Sequence, residues 1–294
     1  MTKISGIFAA TMSVLNSDLS LNVEKTINHA EKLIDQGCHG TAIFGSTGQS
    51  QLISISEKIE LLNKLSKSKY KNKHLIGTGL NSLGETINFM KIAISLNFDK
   101  FLIMPPAYYK YSDTEVINFY GKIIESIPEC KIILYNFEKL CGYKFSVDCV
   151  EKLAKKFPKQ IVGVKDSSYN LFENLKLENF SIFPGSETKL LKGLELGCSG
   201  IITATCNVTS EISRKVYDDF QSGKKQSFNH KLCNVREVFD RYNLISGLHS
   251  FFAHENEIYK NLLPPLRLLD QIEEKDLMNS LKKLNFTNKS PLAA

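Results

Sequence analysis

Ile161-Val162-Gly163-Val164-Lys165-Asp166-Ser167-Ser168 is the stretch on which the reading of this chain turns. Three β-branched residues and a glycine with no polar break read as a strand buried on both faces, the form found in parallel sheets, and Asp-Ser-Ser behind them reads as its exit turn. Lys165 then stands where the strand ends. Period two sets Ile161, Gly163 and Lys165 on one face, so the sequence predicts an amine pointing the same way as a core isoleucine. A lysine sunk among apolar neighbours is favoured in its neutral form, the form that condenses with a carbonyl to a Schiff base. The same residue also reads as a strand-end lysine whose stem packs while its head reaches water. The rest of the chain decides between the two.

Working outward, similar runs recur at Ile4–Ala9, Gly40–Phe44, His74–Thr78, Lys100–Met104, Lys131–Tyr135, Phe180–Phe183 and Gly200–Ala204. Amphipathic helical patterns follow, from Asn22 to Gln36 and from about Ser56, Leu83, Asp113, Ser146 and Ser210. Strands alternating with helices indicate parallel pairing through right-handed crossovers. Eight strand-helix units within about 225 residues predict a closed (β/α)8 TIM barrel. The turn after the first strand, Ala10-Thr11-Met12-Ser13, lacks the glycine fingerprint that an open dinucleotide-binding sheet favours. From Gln226 the strand pattern stops. Residues 1–225 are therefore read as the barrel and 226–294 as a C-terminal helical appendage, with a frayed tail from Asn285 to Ala294.

The 294 residues are 43% hydrophobic and 23% charged, the balance of a globular protein. No run of about 18 apolar residues suggests a membrane span, and the N-terminus lacks the apolar stretch of a signal peptide, so the expected compartment is the cytoplasm. The seven cysteines form no CxxC pair and are expected to be free buried thiols. The histidines show no ligand spacing, and neither a metal nor a cofactor is expected. The net charge of +6 is scattered among acids rather than gathered on one face, which argues against a nucleic-acid partner.

In such a barrel chemistry is sited at the C-terminal ends of the strands. Lys165 ends the sixth and Tyr135 the fifth. Neighbouring strands lie about 4.8 Å apart, so a phenol facing the axis reaches the amine or a ligand bound to it and can pass protons. Tyr135 also reads as an aromatic cap on the barrel. The second strand runs into Gly45-Ser46-Thr47-Gly48-Gln49, where two glycines allow a tight turn and the hydroxyls and backbone N–H groups suit a small carboxylate.

Together these segments resemble the pyruvate-dependent class I aldolase family that includes dihydrodipicolinate synthase, N-acetylneuraminate lyase and the 2-keto-3-deoxygluconate aldolases. Gly45–Gln49 resembles the family's GTTGE turn, Tyr135-Asn136 with Gly142 matches the spacing of its YNxPxxTG motif, and Gly163-Val164-Lys165-Asp166 is similar to its G-(I/V)-K-(D/E) strand. The resemblance implies that Lys165 forms the Schiff base, that Tyr135 moves protons, and that Ser46 and Thr47 hold the pyruvate carboxylate. It further implies that Tyr108 reaches a neighbouring subunit's site to complete a relay with Thr47, in a homo-oligomer expected to be a tetramer of paired dimers. Ile202 is implied to line the pyruvate pocket, and Gly185-Ser186-Glu187 to meet substrate hydroxyls, helped by Thr203.

Three positions depart from the pattern. Gln49 replaces a glutamate, and Glu138 replaces a proline, which suggests another path for loop five. Leu140 stands where dihydrodipicolinate synthases carry the arginine that binds aspartate semialdehyde. The expected reaction is therefore an aldol cleavage or condensation joining pyruvate to an uncharged, hydroxylated aldehyde, as in a 2-keto-3-deoxy sugar acid. Dihydrodipicolinate synthase itself is the alternative. A keto-acid-binding regulatory protein without turnover is the reading of another class.

Overall fold

The apolar runs form the strands β1 (Gly6–Ala10), β2 (Gly40–Ile43), β3 (His74–Gly77), β4 (Lys100–Ile103), β5 (Lys131–Asn136), β6 (Ile161–Asp166), β7 (Ser181–Pro184) and β8 (Gly200–Thr203). The structure, a computed structural model, describes residues 3–287. Strand order is β7-β6-β5-β4-β3-β2-β1-β8 with every laddered pair parallel. The Ser199 N–H donates to the Ile182 carbonyl at 2.8 Å and draws β7 towards β8, which nearly closes the ring. This is a (β/α)8 TIM barrel.

Alternation sorts the strand residues. Ile43, Ile76, Phe101, Ile132, Leu134 and Val164 face the surrounding helices, whereas Phe8, Leu75, Leu102, Ile133, Phe183 and Ile202 fill the interior. Phe8 and Phe183 meet edge to face with ring centres 5.7 Å apart. The helices start on side chains that satisfy their first N–H groups. Asn22 accepts from Lys25 ahead of α1 (Val23–Asp35), and Ser54 with Glu57 makes a capping box for α2 (Ile55–Leu65). Then come α3 (Leu83–Ser95) and α4 (Asp113–Ser126), the latter opened by a box of Ser112 and Glu115.

Three local features differ from the sequence reading. Loop five contains a single helical turn, α5 (Glu138–Cys141), closed by Gly142 in the left-handed region at φ 74°, before α6 (Val147–Lys156). The sixth unit has no helix. Residues 167–180 cross from β6 to β7 as turns, because Asp166 takes up the backbone N–H groups of Tyr169, Leu171 and Phe172 that a helix would otherwise satisfy internally. After α7 (Leu190–Glu195), α8 begins at Cys206, one turn before the expected Ser210, and runs to Gln221.

The C-terminal segment forms α9 (Asn229–Phe239), α10 (Leu244–Ala253) and α11 (Gln271–Lys283). One apolar cluster joins Ile7, Ile201 and Ile212 of the barrel to Phe239, Phe251 and Leu277, so these helices share the barrel's outer core. The frayed tail expected from Asn285 is corrected at its start, since Phe286 is buried against Phe251 with ring centres 6.2 Å apart; residues 288–294 lie outside the described residues. All seven cysteines are free, and six are buried. Among the described residues no helix is long and apolar enough to cross a membrane.

Candidate active site

Strand alternation breaks inside β6. The β5–β6 register shifts between Ile132 and Ile133, which pair with Ile161 and Gly163 and leave Val162 as the extra residue. Ile161 and Val164 consequently pack outward, while Val162 turns into the barrel. The expectation that Ile161 and Lys165 share a face is corrected: the bulge re-aims the end of the strand. A Cβ at Gly163 would stand 2.5 Å from the Ser181 carbonyl, so only glycine permits this approach of β6 to β7.

Beyond the bulge Lys165 pairs in register with Tyr135. Its amine lies 4.1 Å from the centre of the Tyr135 ring, and the residue is 3% exposed. Among the described residues no hydrogen-bond acceptor is recorded for this amine. Both side chains line a cavity of about 600 Å³ at the C-terminal mouth of the barrel, together with Ser46, Thr47, Gly185 and Arg236. The Tyr135 hydroxyl is 3.0 Å from Ser46 Oγ. Thr47 lines the cavity, but the hydroxyl that meets the phenol is that of Ser46.

A buried polar frame holds the two strand ends. Asn136 Nδ2 donates to Asp166 Oδ1 and to Asn170 Oδ1, each at 2.8 Å, and its side-chain Oδ1 accepts from the Phe145 N–H at 3.1 Å. Asp166, expected in the exit turn of its strand, and Asn136, expected as part of the Tyr135-Asn136 motif, are both fully buried and lock Tyr135 and Lys165 in register. The Gly45–Gln49 turn is pinned in turn by Ser13 Oγ, which donates to the Gly48 carbonyl at 2.7 Å. Gln49 sits in the left-handed region at φ 54°. Its amide oxygen accepts from the Leu263 N–H at 2.8 Å, and its nitrogen lies 3.5 Å from His249 Nε2. The replacement of glutamate thus makes a neutral strut between the turn and the C-terminal helices. It suits an imidazole whose pKa burial pushes down to about 4.

Other expected site residues fall elsewhere. Glu187 is fully buried in an ion pair with Arg236 at 3.1 Å and accepts hydrogen bonds from Thr203 and Thr209. Neither Glu187 nor Thr203 is free to meet substrate, which corrects the role expected of both. Ser186 caps the short helical turn after β7, and Gly185 alone of that trio lines the cavity. Ile202 belongs to the barrel interior beneath. Leu140 is 42% exposed on the loop-five turn and is not part of the cavity wall. Tyr108 is 90% exposed, at φ 92°, with its ring edge to face on Tyr109.

The residue that sequence reasoning missed is Arg236 on α9. Burial works against its charge, but Glu187 and Asp240 hold its pKa above the usual guanidinium value. Its position in a helix far along the chain left no local signal, apart from being a basic residue followed four positions later by an acid. A second buried lysine was also missed: Lys58 of α2 is 0% exposed, donates to the Thr78 carbonyl at 2.8 Å, and has its pKa pushed down to about 8 by burial. Among the described residues no group of three or more His, Cys, Asp and Glu side chains is placed to hold a metal ion.

With this geometry in view, comparison with known proteins is direct. The sequence model of the Dihydrodipicolinate synthetase family matches residues 3–284. The chain belongs to this family, whose members are lyases and aldolases. It is 28% identical to the 4-hydroxy-tetrahydrodipicolinate synthase of Methanopyrus kandleri, over 97% of each chain. It is 25% identical to the 2-dehydro-3-deoxy-D-gluconate/2-dehydro-3-deoxy-phosphogluconate aldolase of Picrophilus torridus, over 76% of this chain and 85% of that one. Its fold matches that of a prophage protein of the dihydrodipicolinic acid synthase family from E. coli K12, solved in complex with pyruvate, with a TM-score of 0.86 at 22% identity, covering 97% of this chain and 100% of that one.

Proposed function

We propose that this member of the family is a Schiff-base-forming aldolase that cleaves or forms a 2-keto acid, with pyruvate as one product or substrate. The observation that carries the reading is a lysine amine 4.1 Å from the centre of a phenol ring whose hydroxyl stands 3.0 Å from a serine hydroxyl, in one cavity with a glycine-flanked turn. In this mechanism Lys165 Nζ adds to C2 of the keto acid, and the carbinolamine loses water to give an iminium. For cleavage, the aldol hydroxyl gives up its proton and the C3–C4 bond breaks, its electron pair passing to the iminium. The aldehyde leaves, the enamine takes a proton at C3, and hydrolysis returns pyruvate and the free amine. Condensation runs the same steps backwards. The Tyr135 hydroxyl moves these protons, with Ser46 next in the relay. The carboxylate accepts from Ser46 and Thr47 N–H groups, which as the first of a helical turn have no acceptor within it.

The name of the Picrophilus relative supports a hydroxylated partner aldehyde. A second reading, condensation of pyruvate with aspartate semialdehyde, is supported by the name of the Methanopyrus relative, a 4-hydroxy-tetrahydrodipicolinate synthase. We also propose a homo-oligomer, a tetramer of paired dimers, in which the exposed Tyr108 enters a neighbouring copy's cavity. The experiment is pyruvate release from a panel of 2-keto-3-deoxy sugar acids, with pyruvate plus aspartate semialdehyde run in parallel. Release from at least one sugar acid is expected. Turnover of aspartate semialdehyde alone would establish the second reading, and pyruvate binding with no turnover of anything would make the chain a binding protein.

A further inference from the structure

We infer that Arg236 and Asp240 form the subsite that reads the partner aldehyde, and that it is built for hydroxyl groups and against a second carboxylate. The inference rests on the aldolase reading and deepens it. Arg236 and Asp240 stand one helical turn apart at the end of α9, and both side chains line the same cavity as Lys165. The guanidinium is held on two edges. Nη1 donates to Glu187 at 3.1 Å, to Thr203 Oγ1 at 2.9 Å and to Thr205 Oγ1 at 3.3 Å, while Nε donates to Asp240 Oδ1 at 2.8 Å. Among the described residues no protein partner is recorded for Arg236 Nη2 or Asp240 Oδ2. Two residues that line the cavity, one side chain buried and the other 46% exposed, thus keep a donor and an acceptor beyond those that fix them.

The charges decide what this pair accepts. One guanidinium faces two carboxylates, one of them fully buried, so the cation is already compensated with a negative charge in excess. On the loop-five rim Lys139 is exposed to solvent, and Glu138 is paired with Lys144 at 3.2 Å. A carboxylate bound at Arg236 would stand beside Asp240, whose carboxylate is itself ion-paired to that guanidinium, and like charges at close range are strongly disfavoured. A hydroxyl has no such conflict: its oxygen accepts from Nη2 and its proton goes to Oδ2. Sites that pair a substrate hydroxyl in this way discriminate steeply for it.

The test is Asp240→Asn, whose amide oxygen can still accept from Arg236 Nε while the negative charge is gone. Condensation of pyruvate with glyceraldehyde and with succinic semialdehyde is measured as kcat/KM, alongside borohydride trapping of pyruvate on Lys165. The wild-type protein is expected to prefer glyceraldehyde by at least about tenfold, and Asp240→Asn to move the ratio at least about tenfold towards the anionic aldehyde. Asp240→Ser, which also removes the charge, should move it the same way and serves if the asparagine variant melts early. A wild-type preference for succinic semialdehyde, or an unchanged ratio in the folded variants while the Lys165 adduct still forms, overturns the subsite and leaves the imine chemistry standing. Absence of any adduct in active wild-type protein overturns both.

Discussion

Lys58 and Lys165 are 0% and 3% exposed, yet they occupy different chemical positions. Lys58 rises from α2, behind Phe44, and donates its amine to the Thr78 carbonyl, away from the residues that line the barrel's mouth. Lys165 emerges from the end of β6 with its amine over the Tyr135 ring on the wall of the barrel's mouth. Burial removes water from both. Only Lys165 combines desolvation with access and a proton donor, and it is that combination, rather than a low exposure, that marks a lysine for imine chemistry.

Substitutions should separate the two lysines sharply. Lys165→Ala should fold and lose turnover by about 10⁴-fold or more, because the other amine lining the cavity, Lys139, is exposed on the loop-five rim rather than buried over Tyr135. Lys58→Met should keep kcat/KM within about threefold, since Lys58 is not among the residues that line the cavity, although the Thr78 carbonyl then loses its donor and stability falls. Equal losses from the two would erase the distinction. Tyr135→Phe comes next. It keeps the ring beneath the amine and removes the proton carrier, so turnover should fall by about 10²–10⁴-fold while pyruvate still binds. Unfolding instead would return Tyr135 to the role of a core aromatic.

Lys58 also gives a pH signature that Lys165→Ala should leave in place. Its pKa is about 8 when folded, against an ordinary 10.5. Between those values the unfolded chain binds more protons, so this group adds stability as pH rises from about 8 to 10.5 and takes it away as pH falls back through 8. The difference in stability between wild type and Lys58→Met, followed by denaturant titration, should change by about 3 kcal/mol across that window and stay flat below it. A flat difference throughout would mean that the amine is solvated after all.

The contrast also explains what could be read from the sequence. Parallel strands announce themselves as short apolar runs, so the barrel, Lys165, Tyr135 and the Gly45–Gln49 turn were all legible. What strict period two could not convey was the bulge after Ile161, which exchanges the faces of the strand ahead of Lys165. Residues brought together by the fold were harder still. Glu187 looked like a substrate ligand because its partner Arg236 arrives from a helix beyond the barrel strands, and a buried ion pair of that kind has no local pattern. Lys58 was hidden for the reverse reason. Among the lysines of an amphipathic helix it looks like surface, and only packing against Phe44 and Thr78 buries it.

A smaller loss than that of Tyr135→Phe is expected at the two hydroxyls of the turn. Ser46→Ala, which removes the group 3.0 Å from the phenol, should cost about tenfold in kcat, and Thr47→Val less. The reverse order would give Thr47, rather than Ser46, the place beside Tyr135 in the relay.

The most direct measurement is incubation of the protein with pyruvate and borohydride, followed by peptide mass spectrometry. The account predicts one reduced adduct, on Lys165, that disappears in Lys165→Ala and persists in Lys58→Met. An adduct on Lys58 or any other lysine, or none in protein that turns over its substrate, would contradict it.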